Sequence, residues 1–159
     1  FISPLSTLDR VWGDAVFEHM GHRAIAVLHG TAAKRKKLFA NDAFNFYVVN
    51  HDGIDIITEM IYKDVKGQRK LVGAKLLRDD IDLVIIDELA VLRNQQTARW
   101  RVTKKATERV PRMWGLTGTP TPNSPTDAYA QHQLITPDNP NVHGNNTSFR
   151  QLERQQLTE

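Results

Sequence analysis

Two adjacent acidic residues follow an apolar run, in a position where their carboxylates could take part in phosphate chemistry. Asp87 and Glu88 directly follow Leu83–Ile86, a short apolar run typical of a buried strand. Because successive residues that leave a strand point in different directions, Asp87 can hold a magnesium ion, largely through water, while Glu88 serves as the base for an attacking water. A structural interpretation stays open, since acids also end strands and cap the following helix.

A second turn, Leu116–Pro120, lies downstream and supplies hydroxyl groups. Thr117 and Thr119 flank Gly118 there, and Pro120 fixes the direction of the chain after them. Such a turn can bring backbone amides and hydroxyls to a phosphate or to the acidic turn. An ordinary glycine–proline turn is the alternative, and the pairing with an acidic strand end favours the functional interpretation.

Basic residues concentrate between these two turns. The segment Arg93–Arg112 carries a net charge of +6 although the whole chain carries +3, so the remaining residues together carry −3. Lys34–Lys37 forms a second basic cluster. Local basic stripes on a nearly neutral chain favour contact with a polyanion, and a solvated helix face is the alternative. Within the first stripe, Lys104 and Lys105 are candidate DNA contacts.

Composition limits the class of protein. The 159 residues include no cysteine, which excludes a disulfide framework, a thiolate zinc site, an iron–sulfur cluster and a cysteine nucleophile. The share of apolar residues, 40%, and of charged residues, 25%, is typical of one ordinary globular domain. No apolar run reaches the ~18 residues that a membrane span needs, so we expect no membrane contact.

A metal site at His51, Asp52 and Asp55 is disfavoured by their loose spacing. The three tryptophans are expected to be packing residues: Trp12, Trp100 and Trp114.

Short apolar runs alternate with helical patterns along the chain. Continuous apolar runs of this length predict strands buried on both faces of a parallel sheet, and they lie at Arg23–Leu28, Phe46–Val49, Leu83–Ile86 and Met113–Leu116. Capping residues and apolar spacing predict helices at Ser6–Met20, Thr31–Ala40, Leu71–Arg78, Thr97–Arg109, Ser124–Ile135 and Ser148–Leu157. The segment Asp55–Arg69 is either a helix or a hairpin that turns at Lys66-Gly67.

This alternation predicts an α/β fold with a mainly parallel sheet flanked by helices and joined by right-handed crossovers. In such sheets the working residues lie just beyond the carboxyl ends of the strands. We therefore expect the Asp87-Glu88 turn and the Thr117–Thr119 turn to leave neighbouring parallel strands at the same edge of the sheet.

Four stretches occur in an order that is typical of a known family. They are Phe1–Leu8 with Trp12, Val27–Gly30 with Arg35, Asp87-Glu88 with Leu92–Asn94, and Leu116–Pro120 with Asn123, Asp127 and Tyr129. With them, the chain resembles the first RecA-like lobe of superfamily-two helicases, and among these the Swi/Snf-type DNA-dependent ATPases. The last two stretches, at this spacing, are the specific ones. The resemblance implies a RecA-like three-layer fold, ATP and Mg²⁺ as cofactors, and DNA, double-stranded by expectation, as the partner.

The resemblance also implies roles for individual residues. Asp87 would hold the magnesium ion through water, and Glu88 would activate the water that attacks the γ-phosphate. Thr117, Gly118 and Thr119 would form the catalytic turn that couples the state of the nucleotide to DNA contact. Protein residues that lie along a DNA strand would contact its phosphates, and such contacts position the protein without reading the base sequence. The candidate DNA contacts are Pro4, Leu5, Ser6, Thr7, Gly30, Arg93, Asn94, Lys104 and Lys105.

The resemblance divides the chain into two parts. Residues 1–137 would be a partial N-terminal ATPase lobe, and residues 138–159 a loop and C-terminal helix that lead to a second lobe. The sequence contains no G-x-x-x-x-G-K-[ST] run, the loop that cradles the β- and γ-phosphates. Phe1-Ile2 also reads like the end of a strand. We therefore expect a fragment that does not hydrolyse ATP without a phosphate loop and a second lobe.

Two other functions stay open at this stage. Ala90 lies where the family usually has histidine or another polar residue, which favours a nucleic-acid-binding module derived from a motor lobe but without turnover. The motor subunit of a restriction enzyme is the other alternative. Since the sequence lacks long charged tails, we expect a prokaryotic or phage protein of the cytoplasm.

Overall fold

The central sheet contains five parallel strands. The computed structural model describes residues 1–121 and 127–136. In chain order the strands are β1 Ile2–Ser3, β2 Ile25–Val27, β3 Phe46–Asn50, β4 Thr58–Val65, β5 Gln68–Leu76, β6 Leu83–Ile86 and β7 Arg112–Gly115. The sheet has the order β2-β3-β1-β6-β7, while β4 and β5 form a separate antiparallel pair. The predicted mainly parallel α/β fold is confirmed.

Helices connect and flank these strands. They are α1 Asp14–His19, α2 Ala32–Phe39, α3 Ala98–Thr107 and α4 Asp127–Ile135. The hydroxyl oxygens of Thr31 and Thr97 accept hydrogen bonds from the backbone amides of Lys34 and Trp100, so they cap α2 and α3 as their sequences predict. No helix in the described ranges is long and apolar enough to cross a membrane.

The helix predicted over Ser6–Met20 is divided into three pieces. A 3₁₀ turn covers Leu5–Thr7, a π-helical turn covers Leu8–Gly13, and only then does α1 begin. Amphipathic spacing predicts a helical segment here, but it does not reveal this change in the hydrogen-bonding pattern.

The main error in the predicted secondary structure lies between β3 and β6. The helix predicted over Leu71–Arg78 is wrong, because residues up to Leu76 form β5, paired along its length with β4. Lys66 and Gly67 both have positive φ angles, 54° and 75°, as a two-residue hairpin turn requires. The hairpin alternative for the preceding segment is therefore confirmed. Pairing across the hairpin and packing of β5 on α3 override the local pattern.

The carboxyl ends of the five parallel strands lie along one edge of the sheet. We call this edge the rim; the residues that leave the strands there are Pro4, Leu28, His51, Asp87 and Leu116. Below it, the side chains of Val48 and Ile86 are fully buried. Trp114 is 56% exposed on β7, the last strand of the described sheet, so its predicted packing role is wrong.

Some predictions fall outside the described residues. They concern Asn123, the start of the helix at Ser124-Pro125, the segment 138–159 and the helix Ser148–Leu157.

Candidate active site

The acidic turn after β6 is built with a strained backbone. The amide of Asp87 donates to the carbonyl of Ile2 at 2.8 Å, which continues the pairing of β6 with β1. Glu88 then adopts φ 53° and ψ 54°, in the left-handed region. A side chain in that region costs about 1 kcal/mol, and residues held there are concentrated at functional sites. The turn leaves both acidic side chains half-buried at the rim.

The carboxylate of Asp87 is oriented from two sides. Oδ1 accepts a hydrogen bond from the amide of Glu88 at 3.0 Å, and Oδ2 accepts one from the indole Nε1 of Trp12 at 3.3 Å. The ring of His51 donates from Nε2 to the backbone carbonyl of Asp87 at 2.8 Å. Each carboxylate oxygen keeps a further lone pair. One oriented carboxylate completed by water is a ligand set that Mg²⁺ accepts, so these residues fit that ion.

The turn after β7 lies directly beside the acidic turn. The amide of Leu116 donates to the carbonyl of Ile86, and the amide of Leu89 donates to the carbonyl of Leu116, both at 2.8 Å. The hydroxyl of Thr117 lies 3.5 Å from Oε1 of Glu88. The predicted adjacency of the two turns at one edge is confirmed. The chemical roles given to them stay predictions.

The middle of that second turn faces solvent. Gly118 and Thr119 are exposed, and the amide of Thr119 donates to the hydroxyl oxygen of Thr117 at 3.3 Å. The far end is held by α4, where Nε2 of Gln131 donates to the carbonyl of Pro120 at 2.6 Å. A phosphate or a second surface can therefore approach Gly118 and Thr119 without displacing packed side chains.

The segment after β1 presents a different set of groups. The amide and the hydroxyl of Thr7 both donate to the carbonyl of Pro4, at 3.1 and 3.0 Å, and close a tight turn. Leu5 and Ser6 at its tip are exposed. Since β1 pairs with β6, this turn and the acidic turn leave adjacent strands.

Gly30 lies on the rim beyond β2. Its φ angle is +99°, which favours glycine, and the chain turns there into α2. Arg35 donates from Nε to the carbonyl of Gly30 at 2.9 Å and from Nη1 to Oδ1 of Asn50 at 3.0 Å. One arginine therefore ties together the turns after β2 and β3.

The remaining predicted DNA contacts divide into two places. Arg93 and Asn94 are exposed and follow the acidic turn, and the carbonyl of Asn94 accepts from the amide of Thr97. Lys104 and Lys105 lie in the last turn of α3, which runs from the rim back towards the start of β7. Their ammonium groups donate to backbone carbonyls of the neighbouring elements, those of Gln133 at 2.5 Å and Val72 at 3.3 Å. The structure thus does not bring these two lysines to the rim, and their contact with DNA stays a prediction.

Comparison with known proteins identifies the family. A model of the SNF2-related domain matches residues 1–158. The chain belongs to the SNF2-related domain family. The Swi/Snf-type resemblance drawn from the motifs is thereby confirmed. No curated relative matches the sequence.

One solved structure shows the same fold over most of this SNF2-related domain. It is described as the Sulfolobus solfataricus SWI2/SNF2 ATPase core in complex with dsDNA, and it matches with a TM-score of 0.65 and 20% sequence identity. The match covers 94% of this chain but 26% of the other, so this chain spans about a quarter of that protein's length. The RecA-like α/β architecture is confirmed.

Two features of this SNF2-related domain were missed by sequence reasoning. Trp12, expected to be a packing residue, donates a hydrogen bond to the carboxylate of Asp87. Asp52, which the sequence analysis weighs only as a metal ligand, forms an ion pair with Arg99, 47 residues away. Neither partner is indicated by a local pattern, because both pairs form only when the rim assembles. Trp100 does pack, with its indole Nε1 donating to the carbonyl of Ala130 at 2.9 Å.

A cleft of about 420 Å³ opens beside this ion pair. It is bordered by the turn after β3 and by the start of α3, with Asp55 on one side and Arg99 on the other. Loss of hydration raises the pKa of the Asp55 carboxyl, and the nearby negative charge of Asp52 adds to that effect. In this cleft the guanidinium of Arg99 is already paired with Asp52, and the carboxylates of Asp52 and Asp55 disfavour binding of an anionic ligand.

Proposed function

We propose that this SNF2-related domain is the first lobe of an ATP-driven DNA translocase. One observation carries the proposal: the Asp87-Glu88 turn and the Thr117 turn are hydrogen-bonded to each other at the rim, on the strand next to the exposed Pro4–Thr7 turn. A site for phosphate chemistry and a surface for a phosphate backbone are thereby neighbours. Such closeness is what coupling of hydrolysis to movement on DNA requires.

The acid pair supplies the chemistry in this proposal. Asp87 would hold a magnesium ion, and that ion when bound neutralises charge on the phosphates of ATP. Glu88 takes a proton from water as the water oxygen bonds to the γ-phosphorus, and the bond from that phosphorus to ADP breaks. The hydroxyl of Thr117 lies 3.5 Å from Oε1 of Glu88, so a change in the charge or position of that carboxylate alters this hydrogen bond.

The turn after β1 supplies the DNA contact. Leu5 and Ser6 are exposed there, and backbone amides and hydroxyls of such a turn bind phosphate oxygens without reading bases. The double-stranded DNA bound by the Sulfolobus solfataricus ATPase core supports a duplex as the ligand. Gly30, Arg93 and Asn94 extend the same edge.

The test is a substitution at Glu88 in a longer polypeptide that also carries a phosphate-binding loop and a second lobe. Glu88→Gln removes the base but keeps the shape, so we expect ATP turnover to fall by roughly 100-fold or more while ATP and duplex binding persist. Glu108→Gln, an exposed acid at the end of α3, is the matched control and should leave turnover unchanged.

Equal turnover in wild type and Glu88→Gln would refute the assigned base. The 159 residues contain no phosphate loop motif, and we propose that alone they show no DNA-stimulated ATPase activity. Measurable stimulated activity from that polypeptide would contradict this part of the proposal.

A non-catalytic nucleic-acid-binding module is the second candidate function, and one observation favours it. Ala90 is buried, 5% exposed, just after the acidic turn, and its methyl group offers no hydrogen bond to the Thr117 turn. A polypeptide that carries both the phosphate loop and the second lobe, binds duplex DNA, and shows no turnover would support this module. A nuclease motif in the same polypeptide would instead support the motor subunit of a restriction enzyme.

A further inference from the structure

Trp12 joins two parts of the rim that are far apart in sequence. Its indole Nε1 donates to Oδ2 of Asp87 at 3.3 Å across 75 residues of chain. The ring is half-buried and lies against Phe1, with centroids 4.3 Å apart and planes tilted by 30°. The indole is therefore held on its apolar side while its single donor points at the carboxylate.

The backbone around Trp12 connects it to the proposed DNA contact. The Leu5–Thr7 turn passes directly into the π-helical turn Leu8–Gly13, which contains Trp12. Leu8, 2% exposed, anchors the junction between them. Short π-helical turns are uncommon and occur often at functional sites. A continuous helical path therefore joins the exposed turn to the indole.

We propose that Trp12 is a positioning residue that reports occupancy of the Pro4–Thr7 turn to the carboxylate of Asp87. This rests on the proposed function and adds to it a path between the DNA contact and the magnesium-holding group. The amide of Glu88 already fixes Oδ1, so the indole on Oδ2 sets the rotation of the carboxylate. By thermodynamic linkage, if duplex DNA changes the affinity for Mg²⁺ by some factor, Mg²⁺ changes the affinity for duplex DNA by the same factor.

The chain carries its own controls for a spectroscopic test. It has three tryptophans, hence three indole N–H signals in a ¹H–¹⁵N spectrum. Trp100 donates to the carbonyl of Ala130 on α4 and not to the acidic turn, and Trp114 is 56% exposed on β7. Assignment needs only the single Trp→Phe variants.

The first arm of the experiment asks whether the hydrogen bond exists and responds. Indole spectra of the 159-residue chain are recorded with Mg²⁺ alone and with a short duplex alone. We expect each to move the Trp12 signal and to leave the Trp100 signal in place. Asp87→Asn should move the Trp12 signal without any ligand and abolish its response to Mg²⁺. A Trp12 signal that is indifferent to Asp87→Asn overturns the proposal, whether or not the protein is a motor.

The second arm measures the coupling. Trp12→Phe keeps an aromatic ring against Phe1 but removes the donor. We expect its Mg²⁺ affinity to fall by about tenfold, its duplex affinity to change by less than about twofold, and the mutual effect of the two ligands to disappear. Trp114→Phe should change none of these. Unchanged Mg²⁺ affinity and unchanged linkage in Trp12→Phe would sink the positioning role.

The two proposals fail in different ways. A wild-type chain that binds duplex and Mg²⁺, with a Trp12→Phe variant that behaves identically, removes the positioning role and leaves the proposed function standing. A longer polypeptide that carries the phosphate loop and the second lobe, and still binds neither duplex nor Mg²⁺, overturns both. Should Trp12→Phe not fold, the response of the wild-type Trp12 signal to Asp87→Asn decides the question.

Discussion

The two turns at the centre of the rim are held in different ways. The acidic turn is fixed along its length, by the carbonyl of Ile2, the ring of His51, the indole of Trp12 and the amide of Leu89 bonded to the next turn. The Thr117–Pro120 turn is fixed at its two ends, while Gly118 and Thr119 between them are exposed. A fixed carboxylate geometry favours metal binding, because the ligand is already oriented. Few packed contacts at the centre of the second turn allow that turn to change conformation when its neighbour does.

Glycine substitutions just before and within the second turn should give the largest difference. A Cβ at Gly115 would lie 2.4 Å from Cδ2 of Leu89 and 2.7 Å from Cδ1 of Ile135, so Gly115→Ala should lower the free energy of unfolding by about 1–3 kcal/mol. A Cβ at Gly118 meets no described atom within 4 Å, so Gly118→Ala should be near neutral. Denaturant unfolding of both variants checks this. Equal losses would mean that the second turn is as tightly packed as the strand before it.

Much of this contrast was open to prediction from sequence. Leu83–Ile86 predicts a buried strand with the bounds that β6 has, and the acids then follow at its carboxyl end. Parallel topology makes the meeting of Asp87-Glu88 with Thr117 an expectation before any coordinate is known. Local patterns were sufficient here because each strand carries its own signal.

Other parts depend on contacts between distant residues, and sequence reasoning failed there. The helix expected over Leu71–Arg78 is a strand because β4 pairs with it. The bond from Trp12 to Asp87 and the ion pair of Asp52 with Arg99 span 75 and 47 residues. The left-handed backbone of Glu88 also has no local signal, since glutamate is an unusual choice for it.

The strain at Glu88 gives the next prediction. Glycine adopts a φ of 53° without the penalty that a Cβ brings, so Glu88→Gly should be more stable than Glu88→Ala by about 1 kcal/mol. Both variants lose the carboxylate and its approach to Thr117, so only the backbone distinguishes them. Thermal or denaturant unfolding measures the difference. Identical stabilities would show that the acidic turn relaxes to another backbone conformation, against the fixed geometry described above.

The smallest expected effect concerns charge on the same rim, at the turn after β3. Asp52 is 74% exposed and pairs with Arg99, so Asp52→Asn should release that guanidinium for a phosphate. We expect duplex affinity at low salt to rise about two- to fivefold and the salt dependence of binding to steepen by about one unit of slope. Asp64→Asn makes the same charge change on β4, in the exposed hairpin, and is the matched control. An equal gain from both variants would assign the effect to net charge, whereas a gain confined to Asp52→Asn places DNA on the rim.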